Sequence, residues 1–297
     1  MTKELAIKTQ GLVKNYGSVH ALRGVDLEVR KGEIYGFLGP NGAGKTTMIR
    51  CLLDTIRPTA GKATVLGIDP QVDPLAVRQR VGYLPGELHL ENNQRVKSIL
   101  RLLLRLRGNQ ADWSYVESLA DRLSLDMESR IKNLSKGNKQ KVGVVQAFMH
   151  RPLLLMLDEP TAGLDPLVQK EVLGMVEQAR IDGATIFFSS HILSEVESIA
   201  DRVGIIRQGE LVEVANPTTL IQRSLLRAEV RFARPVDSSG LDKVDGVRIL
   251  HRDNGTVVKL EVEGKMDALI KALANFPVNR IETETPSLEE VFLVYFR

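Results

Sequence analysis

Hydrophobic and polar positions change rhythm several times along the chain, and each rhythm predicts a different kind of element. Residues 1–36 read as short strands joined by turns. Leu5-Ala6-Ile7 opens one, and Val25-Asp26-Leu27-Glu28-Val29 alternates apolar with charged residues, as a strand with one covered face does. Ile34-Tyr35-Gly36-Phe37-Leu38 is apolar throughout, the mark of a central strand buried on both faces, and it runs into a glycine-rich loop. Beyond Gly44, the spacing of Met48, Ile49, Leu52 and Leu53 predicts one face of a helix. Residues 88–150 carry helical periodicity with almost no strand signal. Within Arg95–Arg107 the basic residues Lys97, Arg101 and Arg105 recur at i, i+4 and i+8 among leucines. That spacing predicts a helix with one charged face in solvent and an apolar remainder; a docking surface is the alternative.

Strand–helix alternation returns at Leu153. Leu153–Leu157, Thr185–Ser189 and Val203–Ile206 are strand-sized apolar runs, the last followed by a turn at Gln208-Gly209-Glu210. Strands alternating with helices predict α/β architecture around a parallel sheet. Past Asn216-Pro217 the character shifts again. Ala228–Phe232 and Val257–Glu263 alternate as strands, Met266–Phe276 reads as a helix, and Asn279–Thr283 as another strand-like piece. Ser287-Leu288-Glu289-Glu290 has capping-box spacing and predicts a final apolar helix. The expected division is a domain over 1–216, with a helical subdomain at about 88–150, and a small α+β domain over 217–297.

Composition narrows the class without reaching chemistry. Of 297 residues, 43% are hydrophobic and 26% charged, values typical of a globular protein that buries a sizeable core. The net charge, 40 − 37 = +3, does not argue for nucleic acid as a partner. A single cysteine excludes an intrachain disulfide and fits a reducing compartment. No apolar run approaches the roughly 18–20 residues a bilayer span needs, and Met1-Thr2-Lys3-Glu4 is too polar for a signal peptide. A soluble intracellular protein is expected, with Cys51 and Trp113 as packing residues.

Two segments carry chemistry. Gly39-Pro40-Asn41-Gly42-Ala43-Gly44-Lys45-Thr46-Thr47 matches G-x-x-x-x-G-K-[ST] between a predicted strand and a predicted helix. Its glycines let the backbone curl so that N–H groups face phosphate oxygens, and the helix start adds partial positive charge. Lys45 is placed to reach the β- and γ-phosphates, and the Thr46 hydroxyl to ligate Mg²⁺. A glycine-rich turn with an ordinary lysine is the plainer reading, and the full match in this context outweighs it. Leu153-Leu154-Leu155-Met156-Leu157-Asp158-Glu159 supplies a second half, since a buried strand delivers its acids at the carboxyl end, beside the phosphate loop. Asp158 would hold Mg²⁺ through water, and Glu159 would polarise the attacking water.

Leu134-Ser135-Lys136-Gly137-Asn138-Lys139-Gln140, upstream of the acidic strand, resembles the LSGGQ signature of the ABC (ATP-binding cassette) ATPases. With Tyr16 before the phosphate loop, Asp165 after the acidic strand and His191 after the next strand, the order of elements is similar to that family over about residues 4–215. The resemblance implies an α/β P-loop NTPase of ABC type, with an antiparallel β subdomain and a helical subdomain. It implies that Tyr16 stacks on adenine, a contact tolerant enough to admit GTP. It implies that Ser135 and Gly137 contact the γ-phosphate of ATP held by the opposite subunit, that Asp165 couples the two sites, and that His191 contacts γ-phosphate. Lys136 and Asn138 depart from the signature; Lys136 either adds charge near phosphate or faces solvent. In Gly82-Tyr83-Leu84-Pro85-Gly86-Glu87 a glycine stands where the family has a glutamine that touches Mg²⁺, and Glu87 could serve by a one-residue shift.

The function so implied is ATP hydrolysis as the motor subunit of an ABC transporter, with ATP and Mg²⁺ as cofactors. Its partners would be a second copy or a paralogous ATPase subunit, and a permease with several transmembrane helices that holds the chain on the inner face of the cell membrane. The tail Pro286-Ser287-Leu288-Glu289-Glu290-Val291-Phe292-Leu293 and the spelling Ser-Lys-Gly-Asn resemble the bacterial drug and antibiotic exporter branch, which implies export. A soluble ABC ATPase of regulation or repair is the alternative. The roughly 90 residues between Lys45 and Ser135 leave no room for the long coiled coil that repair members carry there.

Overall fold

The structure, a computed structural model, describes residues 4–90, 93–107, 112–222, 226–262 and 266–284. The chain divides into two compact units, Met1–Val214 and Ala215–Arg297. The elements of the first unit run β1 (Leu5–Tyr16), β2 (Val19–Arg30), β3 (Ile34–Leu38), α1 (Lys45–Leu52), β4 (Ala60–Val65), α2 (Pro74–Arg80) and β5 (Val81–Leu84). Then come α3 (Val96–Leu106), α4 (Trp113–Arg122), α5 (Lys136–Phe148), β6 (Leu154–Asp158), α6 (Pro166–Ile181), β7 (Thr185–Ser190), α7 (Leu193–Ile199), β8 (Arg202–Arg207) and β9 (Glu210–Ala215).

Six of these strands form one sheet in the order β5-β6-β7-β3-β8-β9. The pairs among the first five are parallel. Every residue of β3, β6 and β7 is buried, as their unbroken apolar runs predict. Phe187 meets Phe37 and Tyr35, with ring centroids 5.3 and 5.9 Å away. Register then fixes the chemistry. Leu38 pairs with Ser190 and Asp158 with Ser189, so the loops after β3, β6 and β7 leave the same sheet edge side by side. A second, antiparallel sheet, β2-β1-β4, packs Ile7, Leu12, Leu22, Val25, Leu27 and Val29 into the same core. Cys51 is buried there too, and burial pushes its thiol up to about 11.

The helices α3, α4 and α5 occupy the stretch between β5 and β6. On α3, Val96, Ile99, Leu100 and Leu104 are buried, whereas Leu102 and Leu106 are 51% and 75% exposed. The apolar remainder of that helix is therefore only partly covered. Its basic stripe faces solvent as the pattern predicts, with Arg101 and Arg105 exposed, and two of its residues make surface contacts. Lys97 pairs with Glu128 at 3.3 Å, and the Arg101 guanidinium lies 4.8 Å from the Trp113 ring centre. Trp113 itself is half-buried and donates its indole N–H to Glu117 Oε1 at 2.6 Å.

Where these helices meet the sheet, the Arg107 guanidinium donates to the carbonyls of Arg78 and Val81, each at 3.3 Å, and to His150 Nε2 at 2.7 Å. A guanidinium has only donors, so Nε2 accepts. Arg78 in turn donates to the carbonyls of Leu53 and Asp54, both at 3.0 Å, at the end of α1.

The second unit holds α8 (Pro217–Gln222), β10 (Leu226–Phe232), β11 (Val247–Asp253), β12 (Val257–Val262), α9 (Asp267–Leu273) and β13 (Val278–Glu284). Its antiparallel sheet has the order β11-β12-β10-β13. Ala228, Val230, Phe232, Val258, Leu260 and Val262 line one face and pack against Leu241, Leu269 and Leu273. Helix α9 is shorter than the stretch Met266–Phe276 suggested. The predicted final helix from Ser287 lies outside the described residues.

Burial, and then the positive charge of Arg107, lower the His150 pKa from its ordinary 6.5 to about 4. The unfolded chain therefore takes up this proton before the folded chain does. The associated stability is complete above about pH 6.5 and is lost as pH falls toward 4. Urea midpoints at pH 7 and pH 5 should show a smaller acid loss for His150→Gln, which keeps an acceptor but no titratable ring, than for the parent.

Candidate nucleotide site

The loop after β3 is held at both ends. Gly39 N–H donates to the Ser190 carbonyl at 3.3 Å, and Gly209 N–H to the Ala43 carbonyl at 2.9 Å. Gly44 caps α1 with φ 113°, and a Cβ there would come within 2.6 Å of the Ala21 carbonyl oxygen. Only glycine makes that turn, which directs the first N–H groups of α1 into the loop. Pro40, Gly42, Gly44, Lys45, Thr46 and Thr47 line a cleft of about 430 Å³. Gly39, Asn41 and Ala43 complete the loop outside that lining.

Lys45 is buried, and its Nζ donates to the carbonyls of Gly39 at 2.6 Å and Pro40 at 3.3 Å. The same ammonium pairs with Glu159 Oε1 at 3.2 Å. Thr46 Oγ1 donates to Asp158 Oδ2 at 2.7 Å, and Ser189 Oγ donates to Asp158 Oδ1 at 2.5 Å. Glu159 sits at φ 52°, a left-handed conformation costly for a side chain with a Cβ. Its N–H donates to the Ser189 carbonyl at 3.2 Å and to Ser189 Oγ at 3.1 Å. Its carbonyl accepts from Ala162 N–H at 3.1 Å and from Gln140 Nε2 at 3.0 Å. The turn throws the carboxylate to the cleft wall, and its Oε2 meets Nδ1 of His191, which itself lies outside that lining.

Other sequence-predicted residues stand elsewhere. Tyr16, at the end of β1, is 44% exposed under the Lys14 ammonium, 5.1 Å from the ring centre, and does not line the cleft. Ser18, Val19, His20, Ala21, Arg23 and Gln208 line the cleft instead. Ser135 caps α5, accepting from Asn138 N–H at 3.2 Å, and Asp165 caps α6, accepting from Val168 N–H at 3.1 Å. Both are exposed, and neither they nor Gly137 line the cleft. Gly137 instead lies against the loop that leads to Asp165, since a Cβ on it would come within 2.8 Å of the Gly163 carbonyl oxygen. Gly86 abuts the acidic centre, with its Cβ position 3.1 Å from Asp158 Oδ2. Glu87 is exposed and makes no hydrogen bond or ion pair among the described residues.

Sequence reasoning missed Ser189 and Gln140. Both are buried polar residues, and that was the available signal. Ser189 follows the apolar run Ile186-Phe187-Phe188 in β7, and Gln140 shares a helix face with buried Val144, Ala147 and Phe148. Gln140 also donates to the Pro160 carbonyl at 3.2 Å, so α5 holds the acidic turn directly.

A phosphate loop on a parallel sheet edge, with a lysine, a hydroxyl and two carboxylates converging on it, defines the class as P-loop nucleotide-binding proteins. Comparison with known proteins carries this further. The family model described as ABC transporter matches residues 22–162. The bacitracin transport ATP-binding protein BcrA of Enterococcus faecalis is 37% identical over 227 residues, 75% of this chain and 73% of that protein. The linearmycin resistance ATP-binding protein LnrL of Bacillus subtilis is 29% identical over 303 residues, 97% of each chain. A solved ATP-binding subunit of an ABC transporter, 29% identical, superposes with a TM-score of 0.67 over 73% of this chain and 92% of that one. The chain belongs to the ABC transporter family, as an ATP-binding subunit whose ATPase activity is coupled to transport. Among the described residues no helix is long and apolar enough to cross a membrane.

Ser189→Ala should leave buried Asp158 Oδ1 without its donor, and Glu159 N–H with one partner fewer. The expected cost is about 1–3 kcal/mol, read as a lower denaturant midpoint at unchanged slope.

Proposed function

We propose that the chain hydrolyses ATP at a composite site, as one half of a nucleotide-sandwich dimer that drives a separate membrane permease. The observation that carries the catalytic part is that Glu159, on the cleft wall, is held between Lys45 Nζ and His191 Nδ1. The ammonium that now takes the Gly39 and Pro40 carbonyls would bind the β- and γ-phosphates. Glu159 would orient and polarise the attacking water, and His191, hydrogen-bonded to it, would contact the γ-phosphate. Thr46 and Asp158 present hard oxygen donors 2.7 Å apart, a set that suits Mg²⁺, which takes few protein ligands and completes its shell with phosphate and water. The metal would neutralise charge on the phosphates. Gly86 leaves the space beside Asp158 free of a side chain, and Glu87 is the neighbouring carboxylate that could link this loop to the metal.

The sandwich is supported by what stays out of the cleft. Ser135 and Asp165 are exposed caps, and Gly137, two residues after the first, approaches Gly163, two residues before the second. Residues so placed can serve a nucleotide held by another subunit, a second copy or a paralogue. Tyr16, on the exposed hairpin beside Val19, would close over adenine once nucleotide is bound. The segment 1–216 would be the motor, and 217–297 an accessory domain. A chain with an ATP motor and without a spanning helix among its described residues needs a permease to move cargo, and through it would lie on the inner face of the cell membrane. Export is favoured because bacitracin transport and linearmycin resistance name two of its relatives.

Glu159→Gln should keep ATP affinity within about threefold and lower turnover by about a hundredfold or more, because an amide cannot polarise water as a carboxylate does. Lys45→Ala should instead weaken nucleotide binding by about tenfold or more, having lost a charge-assisted contact. Fluorescent-nucleotide titration beside steady-state ATPase assays separates the two.

The composite site has its own test. ATPase rate per subunit should rise with protein concentration until dimers saturate. Mixing Lys45→Ala with Ser135→Arg should restore activity, since each mixed dimer has one site with both lesions and one with neither. A rate independent of concentration, in a chain that light scattering shows to be monomeric with ATP bound, speaks against the sandwich.

A further inference from the structure

Behind the Glu159–His191 pair lies a buried carboxyl group that the scheme above does not use. Glu195, in the first turn of α7, is 5% exposed. Its Oε1 accepts from the Thr161 hydroxyl, and its Oε2 from the Ser190 hydroxyl at 2.8 Å. Among the described residues no cation pairs with it. A carboxyl group buried without an ionic partner costs stability unless its oxygens are hydrogen-bonded, and here both are. The two donors are notable for where they stand. Thr161 is two residues after Glu159, in the acidic turn, and Ser190 immediately precedes His191.

Proton accounting fixes the direction of the second bond. Ser190 Oγ accepts from Ile192 N–H at 2.9 Å and lies 3.2 Å from the Ile192 carbonyl. A hydroxyl has one proton, and the shorter, better acceptor is Glu195 Oε2. Ser190 thus bridges Ile192 N–H and Glu195, and the residues on both sides of His191 are held.

We propose that Glu195 is a positioning residue for hydrolysis, stapling Thr161 to Ser190 so that Glu159 and His191 keep their register across the ends of β6 and β7. It reaches neither nucleotide nor water itself. The inference rests on Glu159 and His191 acting as assigned above. It accounts for how a strained residue, Glu159 at φ 52°, is kept in one conformation, since its turn is fixed from one side by Gln140 and from the other by Glu195.

The test uses the full chain, with kcat expressed per nucleotide-binding site and affinity measured by direct titration. Glu195→Ala should lower kcat by about tenfold to a hundredfold, the scale of a misplaced catalytic group, with nucleotide affinity within about twofold. Glu195→Gln, which keeps one acceptor oxygen, should lose less. Thr161→Val removes a single hydroxyl with little change of shape and should also lower kcat without affinity. It carries the test if Glu195→Ala fails to fold. In the double variant the two losses should not multiply, because both cut the same bond. Affinity falling in step with kcat, losses that multiply, or kcat within twofold of the parent in Thr161→Val would each overturn the proposal. Glu159→Gln in the same assay separates the two levels. If that variant turns over normally, the catalytic assignment has failed; if it is inactive while the staple variants are normal, only the positioning role has.

Discussion

Asp158 has no exposure to solvent, and a carboxylate so placed must have its oxygens satisfied. That requirement organises the nucleotide unit. One oxygen takes the Thr46 hydroxyl from α1, the other the Ser189 hydroxyl from β7. Three elements far apart in sequence are thereby referred to a single point, and the parallel register brings them there. The site is dry on its protein side and polar on its cleft side, which strengthens charge–charge and charge–dipole effects at the phosphate loop. Removing any one of the three partners would leave a buried polar atom uncompensated, so the arrangement is intolerant of partial change.

Much of this was legible from sequence because it rests on local or strongly periodic signals. The phosphate loop is a fixed spacing of residue types. The strands β3, β6 and β7 are unbroken apolar runs, and only a doubly covered sheet accommodates those. Four strands were not legible. β4 begins Ala60-Gly61-Lys62 and has little apolar content, β5 is four residues long, and β9 has no fully buried residue. β11 has a register irregularity between Ile249 and His251, which breaks the alternation that would have marked it. Leu102 and Leu106 show the converse failure, since apolar identity does not by itself bring a covering partner.

Site residues divide the same way. Lys45, Thr46, Asp158 and Glu159 were found by motif. Ser189, Gln140 and Glu195 act through bonds to residues distant in the chain, and no spacing rule announces them. What they share is being polar in apolar company. Gln140 has a mechanical meaning as well. It lies on α5, whose cap is Ser135, and it bonds the backbone of the acidic turn. The helix that begins at the signature is thus attached to the turn that carries Glu159. Arg107 and Arg78 tie the same helical region to the end of α1, below the phosphate loop. The helical region is thus hydrogen-bonded to the acidic turn on one side and to the end of the phosphate-loop helix on the other.

Cys51 gives this fold a built-in reporter. It is the chain's sole cysteine, it sits on the buried face of α1, and burial keeps its thiol largely protonated. A thiol reagent can react only when the packing beneath the phosphate-loop helix opens, so the rate of labelling reads the frequency of that opening. No engineered probe is needed, and no background from other thiols has to be subtracted. Protection by added nucleotide would measure how far occupancy of the cleft tightens the layer beneath it.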